Sequence, residues 1–472
     1  MADDELRALA RAVETRPDDL EAALALARAL TRAGDLRGAR RVVAALARMG
    51  HVESQEQLAR LGPWPTSSGM SGASTTRPGP GDDCRIVATA TLSGGSPGPR
   101  RSLVCAGEDV VVVGTTRRIV ACGARDLRTR WDRPTPAADS TAIVAGDVLM
   151  VDAQGELALL DAASGARLEQ ARLPGPAVQL TARNDRALAV MSQATSVRHV
   201  LAAVDLGARF GRVAWSQPGE RKDVQGVPGR WAVVTSRKLV IADGLALLDL
   251  ERGHAVWERS WRELLGRSGV YGHLAAVDGR GLIVRESPAS GPRGQAFLSE
   301  LELPGRGTRW RTAVPEAWSV VALSADTLVA RAPAEEGCGL VALSRADGAV
   351  RWERSLPCSR PRLVLTPELA CVAALRAVES WVAQPGGYRT ANPDDPRELG
   401  ARTIYGRTAA VRHHLTRLEV LGLDLASGEE RFLVRDAEEV RVQGLDDLSL
   451  IAHEGALIAL SGGRRLVRLA AG

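Results

Sequence analysis

The chain has 472 residues, of which 45% are hydrophobic and 25% charged, with a formal net charge of +5 at pH 7. This composition excludes an intrinsically disordered chain. The sequence has no apolar run of about 18 residues, which excludes a membrane-spanning apolar helix. The length exceeds that of a single-core domain and predicts several domains or a repeat architecture.

Charge and cysteine usage exclude further classes. Lys222 and Lys238 are the only lysines, and the arginines are scattered without a basic run that interleaves with aromatic residues, which disfavours nucleic-acid binding. The six cysteines lack CxxC spacing, so the usual zinc and thioredoxin-like signatures are missing. The opening stretch "MADDELRALARAVETRPDD" lacks the basic region, apolar core and cleavage site of a secretory signal, which predicts a cytoplasmic location.

Residues 1–62 are predicted to form a small helical module, because Leu6, Leu9 and Val13 fall on one helical face. The stretch "LEAALALARALTRAGDLRGARRVVAALARMG" resembles a tetratricopeptide repeat. The matching positions are Leu26, Ala27, Ala29, Leu30, Gly34, Asp35, Ala39 and Val43. The resemblance implies either a peptide-binding role or a helical cap. Residues 63–83, rich in Pro, Gly, Ser and Thr, are predicted to be a flexible linker.

Residues 84–472 carry a repeated hairpin motif, exemplified by "GELALLDAASGARLE" and "GLALLDLERGHAVW". Each copy has an alternating apolar strand, a turn and a second short strand, and five of the eight turns open on an acidic residue. The turn-opening residues are Gly123, Asp161, Asp205, Asp249, Glu302, Ser344, Asp424 and Ser461. Their usual spacing is that of a propeller blade, about 40 to 45 residues. The chain is therefore predicted to be mainly β, an eight-bladed β-propeller with seven blades as the alternative.

The motif positions have predicted structural roles. The carboxylate of Asp161 is expected to accept backbone N–H bonds across its turn, and Gly165 to take a positive φ. The aromatic residue that closes each motif is expected to pack between adjacent sheets. These residues are Trp131, Trp215, Trp257, Trp310, Trp352 and Phe432. The stretch "CRIVATATL" at 84–92 is expected either to lie along the propeller or to add a closing strand to the final blade.

The repeat resembles the PQQ-like repeat of eight-bladed quinoprotein-type propellers, over roughly residues 98–470. Dehydrogenases of that family bind their quinone with a metal, stacking aromatics and a catalytic carboxylate, and many have a disulfide between adjacent cysteines. None of these features can be carried onto this sequence residue by residue, and no two cysteines adjoin. We therefore predict no cofactor, no metal site and no catalytic residue. Non-enzymatic members of the family use the propeller as a docking platform.

The long step between the motifs at Ser344 and Asp424 holds a polar segment, "ESWVAQPGGYRTANPDDPRELGARTIYGRTAAVRHH". It is predicted to be an insertion in the seventh blade and a recognition loop, with a solvated extension as the alternative. The candidate partner-contact residues are Trp381, Tyr388 and Tyr405. His413 and His414 are adjacent, so in an extended strand they point to opposite faces and make an awkward metal pair.

The function predicted from these observations is a non-enzymatic platform that binds protein partners. The first alternative is a sensor that binds a small molecule at the central funnel of the propeller. The second is a PQQ-dependent oxidoreductase. Fold alone does not decide among them.

Overall fold

The computed structural model describes residues 79–92, most of 102–390 and 412–471, residues 73–74, and scattered positions between 8 and 42. The described residues are mainly β-strand, as the sequence predicted. They divide into two compact units. One unit comprises 1–68, 104–110 and 133–258, and the other comprises 69–103, 111–132 and 259–472.

The strands are numbered in chain order. The first two are β1 (Ala73–Ser74) and β2 (Cys84–Thr91). Sheet one holds β3 (Ser102–Ala106), β4 (Val110–Gly114), β5 (Arg118–Gly123) and β6 (Thr129–Pro134), and sheet two holds β7 (Ala138–Val144), β8 (Asp147–Asp152), β9 (Glu156–Leu160) and β10 (Arg167–Arg172). Sheet three holds β11 (Ala177–Arg183), β12 (Arg186–Ser192), β13 (His199–Asp205) and β14 (Val213–Gly219), and sheet four holds β15 (Lys222–Gly226), β16 (Trp231–Lys238), β17 (Ile241–Asp249) and β18 (Ala255–Ser260).

A short helix, Trp261–Leu265, leads into the second half. Sheet five holds β19 (Val270–Val277), β20 (Gly281–Pro288), β21 (Gln295–Glu302) and β22 (Thr308–Pro315), and sheet six holds β23 (Ser319–Leu323), β24 (Thr327–Pro333), β25 (Cys338–Ser344) and β26 (Val350–Leu356). Sheet seven holds β27 (Arg362–Leu365), β28 (Leu369–Gln384), β29 (Gly387–Thr390), β30 (Arg412–Asp424) and β31 (Glu430–Val442), with β1 beside β27. Sheet eight holds β32 (Leu448–His453), β33 (Ala456–Ser461) and β34 (Arg465–Ala471).

Sheets one to six each run through four strands in sequence order. Sheet eight has three strands from the end of the sequence, and β2 completes it as the fourth strand by pairing antiparallel with β34. The expectation that residues 84–92 add a closing strand is confirmed by this pairing. Eight sheets are present among the described residues. The number of blades stays a prediction.

The hairpin turns have the predicted chemistry. The carboxylate of Asp161 accepts the backbone N–H groups of Ala163 at 3.1 Å and Ser164 at 2.7 Å. Gly165, at φ +67°, donates its N–H to the carbonyl of Asp161 at 2.8 Å. Asp249 and Asp424 open their turns in the same way. Short-range hydrogen bonds to an acidic side chain therefore fix where these strands reverse.

A tryptophan that closes one motif packs on the turn of the next motif. Trp352 of sheet six is buried, and its indole N–H donates to the carbonyl of Leu425 of sheet seven at 3.0 Å. A Cβ at Gly428, whose φ is +74°, would lie 2.7 Å from the indole ring. Glycine is therefore required there for two reasons: the backbone has a positive φ, and any Cβ would clash with the indole ring.

The same contact recurs elsewhere within each unit. Trp310 of sheet five donates to the carbonyl of Arg345 at 2.9 Å and lies against Gly348 of sheet six. Trp215 of sheet three donates to the carbonyl of Leu250 at 2.9 Å and lies against Gly253 of sheet four. The predicted packing of closing aromatics between adjacent sheets is confirmed at these positions. It unites a buried ring with a satisfied indole N–H.

Trp257 differs from the other closing tryptophans. Its side chain is partly buried, as is that of Trp215, but its indole nitrogen is buried without a hydrogen-bond partner. The packing of Trp257 between adjacent sheets stays a prediction. An unpaired buried N–H carries a desolvation penalty that the paired tryptophans avoid.

The helical module falls largely outside the described residues. Those that are described in it, among them Ala8, Leu9 and Ala29, are helical, and Ala23 packs with Val13 and Val42. The tetratricopeptide-like hairpin stays a prediction. None of the helices in the described part of the chain is long and apolar enough to cross a membrane.

Replacing Trp352 tests the contact between motifs. The change Trp352→Ala should lower the free energy of unfolding by about 3 to 5 kcal/mol, because it removes a buried ring and leaves a cavity. Denaturant unfolding followed by far-UV circular dichroism measures the loss. Trp257→Ala is the matched control and should cost clearly less, since that ring is half-exposed and its N–H is unpaired. Equal losses in the two variants would contradict the assignment.

Candidate interaction site on the seventh sheet

Sheet seven extends farther along its strands than its neighbour. Strands β28, β30 and β31 contain 16, 13 and 13 residues. The middle strands of sheet six, β24 and β25, contain 7 residues each. The apolar cluster of sheet seven reaches Leu375 on β28 and Leu418 on β30, and Thr416 and His414 farther along β30 are also buried, while β28 continues to Gln384. We call residues 376–384 of β28 and 387–390 of β29, together with the paired residues 412–417 of β30, the extension.

The extension contains two of the three predicted contact residues. Trp381 lies in β28, where its backbone pairs with Thr390 on one side and His413 on the other. Tyr388 lies in β29 and pairs with Ala383. Tyr405 lies outside the described residues. The insertion was expected to be a loop, and this is wrong for residues 379–384 and 387–390, which add strands to sheet seven instead.

Ion pairs cross the surface of sheet seven at the base of the extension. Glu419 of β30 contacts Arg376 of β28 at 3.4 Å and Arg435 of β31 at 3.0 Å. Arg417 of β30 contacts Glu439 of β31 at 2.5 Å. These arginines are more than half exposed, so the pairs add little stability. They connect three neighbouring strands and give this surface charges of both signs.

Two bulges lie where the extension leaves the core. The pairing of β28 with β30 shifts between Ala377 and Glu379, which leaves Val378 as the extra residue, 46% exposed. On the other side, the pairing of β30 with β31 shifts between Arg417 and Glu419. A bulge bends the strand and changes the direction in which its side chains point, and bulges are frequent beside functional sites.

The bulge in β31 directs a carboxylate toward sheet eight. Asp436 is buried and accepts two hydrogen bonds from the guanidinium of Arg465 of β34, at 2.6 and 2.9 Å. Arg465 also contacts Glu438. Hydrogen bonding to Asp436 raises the pKa of Arg465 above its ordinary value. The base of the extension is thus attached to sheet eight by a bidentate ion pair.

The end of the predicted linker lies on sheet seven. The backbone of Ala73–Ser74 pairs in parallel with β27, and a Cβ at Gly79 would lie 3.0 Å from the hydroxyl of Thr366. Asp82 binds Arg431 of β31 through contacts of 2.7 and 2.9 Å. The hydrogen bond from Arg431 holds the pKa of the Asp82 carboxyl below its ordinary value. The described part of 63–83 is therefore fastened to the same sheet that carries the extension.

The histidines do not form a site among the described residues. His414 lies in β30 and is buried. His453 is also buried, and His254 is exposed. In the described part of the chain, no group of three His, Cys, Asp or Glu side chains is placed to hold a metal ion.

The described residues do not fit a quinone site of the dehydrogenase type. Among the cysteines whose side chains the structure describes, the free ones are Cys84, Cys122, Cys338, Cys358 and Cys371. No two cysteines of the chain are adjacent in sequence. The closing tryptophans Trp215, Trp310 and Trp352, which could have stacked on a cofactor, are committed to the turns of neighbouring sheets.

An open cavity of about 930 Å³ lies on sheet six. Its lining comes from the ends of β24, β25 and β26, and includes Pro333, Leu340, Glu353 and Arg354. Arg354 donates to the carbonyl of Gly428 at 2.8 Å. The cavity does not involve β23, the first strand of the sheet. It combines apolar residues with a polar rim, and the described side chains there show no convergent set of catalytic groups.

Comparison with known proteins gives the repeat family and the fold. Residues 83–259 match the family model described as "Outer membrane protein assembly factor BamB". No curated protein sequence matches the chain. The structure is similar to the quinohemoprotein alcohol dehydrogenase ADHIIG from Pseudomonas putida HK5, with 11% identity and a TM-score of 0.51, over 87% of this chain and 80% of that chain. Residues 83–259 are therefore similar to PQQ-like repeats, and the chain has a β-propeller fold.

Two further structures align with lower scores. BamB from Moraxella catarrhalis has 15% identity and a TM-score of 0.45, over 82% of this chain and 99% of that chain. Sqt1 from Saccharomyces cerevisiae has 11% identity and a TM-score of 0.47, over 84% of this chain and 99% of that chain.

Sequence reasoning missed the residues that support the extension. Asp436 and Arg465 are separated by 29 positions and meet only because β31 bulges. The alternation in "LVRDAEEVRV" breaks at Asp436, and this break was the available signal. Arg431 and Asp82 are 349 positions apart, and nothing in either segment indicates the other.

Removing Asp436 should weaken the attachment of sheet seven to sheet eight. We expect Asp436→Ala to lower the free energy of unfolding by about 3 kcal/mol, because it leaves the buried Arg465 charge with Glu438 alone. Denaturant titration measures the change. Arg376→Ala removes an exposed ion pair of the same sheet and should cost about 1 kcal/mol or less. A loss no greater for Asp436→Ala than for Arg376→Ala would show that the buried pair does not hold the two sheets.

Proposed function

We propose that the protein is a non-enzymatic interaction platform whose extension on sheet seven binds a protein partner. The observation that carries this proposal is the continuation of β28 and β30 past the length of the middle strands of sheet six, with Trp381 in β28 and Tyr388 in the added strand β29. The four-stranded sheets of the repeat form without strands of this length. Aromatic residues are enriched in the residues that dominate binding energy at protein interfaces.

The attachment of the extension supports this role. The bidentate pair of Asp436 with Arg465 and the ion pairs of Glu419 hold its base in one geometry. A recognition element that is ordered before binding loses less conformational entropy when the partner binds. The family model that residues 83–259 match is named for an assembly factor, which is consistent with a protein-binding role.

Site-specific crosslinking tests the proposed surface. A photoreactive phenylalanine analogue placed at Tyr388 of the full-length protein, expressed in its native host, should form a covalent adduct with a protein partner. The same analogue at Val256, an exposed position of β18, is the matched control and should give none. Mass spectrometry identifies the adducts. Adducts at Val256 alone, or the same adducts at both positions, would place the binding surface elsewhere.

The non-enzymatic assignment has a separate test. The purified protein, incubated with PQQ and calcium, should show no dye-linked oxidation of alcohols or sugars, because the described residues do not supply the ligands of such a site. Reduction of the dye above a blank without protein would contradict the proposal. Binding of PQQ without turnover, measured by absorbance titration, would instead favour a sensor.

A further inference from the structure

Two cysteines meet at one end of sheet six. Cys338 is the first residue of β25, and its backbone pairs with Leu356, the last residue of β26. Cys358 follows two positions later. If β26 continued straight, the two cysteines would be diagonal neighbours with Cβ atoms about 7 to 8 Å apart. A disulfide requires Cβ atoms about 3.5 to 4.5 Å apart, so a straight strand would keep the thiols separate.

The chain instead folds back toward Cys338 after β26. The backbone N–H of Cys358 donates to the carbonyl of Leu356 at 2.8 Å, which closes a tight turn. Gly337, at φ +82°, sits against this turn, and a Cβ there would lie 2.1 Å from the Leu356 oxygen and 2.7 Å from the Cys358 nitrogen. This close backbone approach brings the Cys338 and Cys358 thiols into a hydrogen bond with each other.

The two thiols have different surroundings. Cys338 is 3% exposed and packs with Leu340 in the core between sheets six and seven, whereas Cys358 is partly exposed at the edge of that core. The hydrogen bond from the Cys358 thiol lowers the pKa of Cys338, and the shared proton raises the pKa of Cys358. Cys338 is therefore the thiol of the pair that ionises more readily, and the thiolate is the reactive form of cysteine.

We propose that Cys338 and Cys358 are a modification site, at which hydrogen peroxide oxidises the two thiols to a reversible disulfide. The Cys338 thiolate attacks one peroxide oxygen, the O–O bond breaks, and a sulfenic acid and hydroxide form. The sulfur of Cys358 then attacks the Cys338 sulfur and forms the S–S bond. The sulfenic hydroxyl leaves with the Cys358 proton as water, and the first hydroxide takes the proton that Cys338 released. Two thiols lose two electrons, and one peroxide becomes two waters.

The disulfide joins the start of β25 to the connection between sheets six and seven. Residues 357–361 lead from β26 to β27 and carry Cys358. A covalent bond to Cys338 closes a loop that contains β25 and β26. Closing a loop restricts the unfolded chain and stabilises the folded state. Oxidation is thus expected to raise the Tm and to fix the connection against sheet six.

A second pair of cysteines provides a matched control within the chain. Cys84 of β2 and Cys371 of β28 lie in one apolar cluster, where burial raises the pKa of Cys84 to about 11 and that of Cys371 to about 12. Both stay protonated at neutral pH, and buried thiols without thiolate character are inert. Although Cys84 and Cys371 lie in one cluster, peroxide should therefore not oxidise them to a disulfide.

The test is peptide mapping of the full-length protein after mild peroxide treatment and alkylation of the free thiols. We expect a peptide with Cys338 linked to Cys358, the loss of two free thiols, and the return of both with dithiothreitol. Cys358→Ser should abolish the disulfide and leave a sulfenic acid at Cys338, which dimedone traps. Cys371→Ser should leave the 338–358 disulfide unchanged. Circular dichroism confirms that both variants fold.

Several outcomes would overturn the proposal. These are full alkylation of Cys338 and Cys358 after peroxide, a disulfide between Cys84 and Cys371 in preference to the proposed pair, or disulfides only between molecules. A Tm that does not rise on oxidation, despite a mapped 338–358 bond, would refute the stabilising effect. None of these results bears on partner binding at the extension, so the two proposals fail separately.

Discussion

The contact between a closing tryptophan and the turn of the next motif is the interaction on which the rest of this structure depends. At Trp215, Trp310 and Trp352 the indole N–H binds the carbonyl directly after the turn-opening residue, and the ring lies against the turn glycine. One contact thus combines ring burial, a satisfied donor and a backbone that only glycine adopts without strain. Where a sheet holds its successor through this contact, stability accumulates from neighbour to neighbour, as in other repeat proteins.

Sheet seven keeps this contact and departs from the repeat elsewhere. Its turn at Asp424 receives Trp352 in the ordinary way, while at the opposite end β28 and β30 are longer than the middle strands of sheet six. The departure is supported by a bulge in β31 that turns Asp436 toward Arg465. A repeat that breaks its own pattern and adds a specific support is where function is expected in a protein built from copies.

Local rules in the sequence predicted the repeated parts and failed where distant segments meet. The turn chemistry of Asp161 and the burial of Trp310 follow from residues within one motif or from the motif period, and both are confirmed. In the first motif, Leu127 takes φ +56° where sister turns have glycine, and this exception has no local signal. The extension was read as a loop because its prolines and glycines are typical of turns, although cross-strand pairing with β30 outweighs that preference.

The half-buried Trp257 shows a second limit. Sequence places it in register with the other closing tryptophans, yet its indole N–H has no partner. The register of the repeat predicts the position of the ring along its strand. It does not predict whether a backbone carbonyl lies within hydrogen-bond distance of the indole N–H, because that depends on the conformation of another turn.

The pairing of β2 with β34 has a consequence for the synthesis of this protein. Residues 84–91 leave the ribosome long before residues 465–471. The edge of β2 that pairs with β34 therefore has no partner while almost the entire propeller is translated. Contacts between such distant segments form slowly, and an exposed strand edge promotes association with other chains. A nascent chain that stalls before sheet eight therefore has an unmatched strand at its beginning. Its dependence on chaperones should be greatest late in translation and should end when β34 pairs with β2.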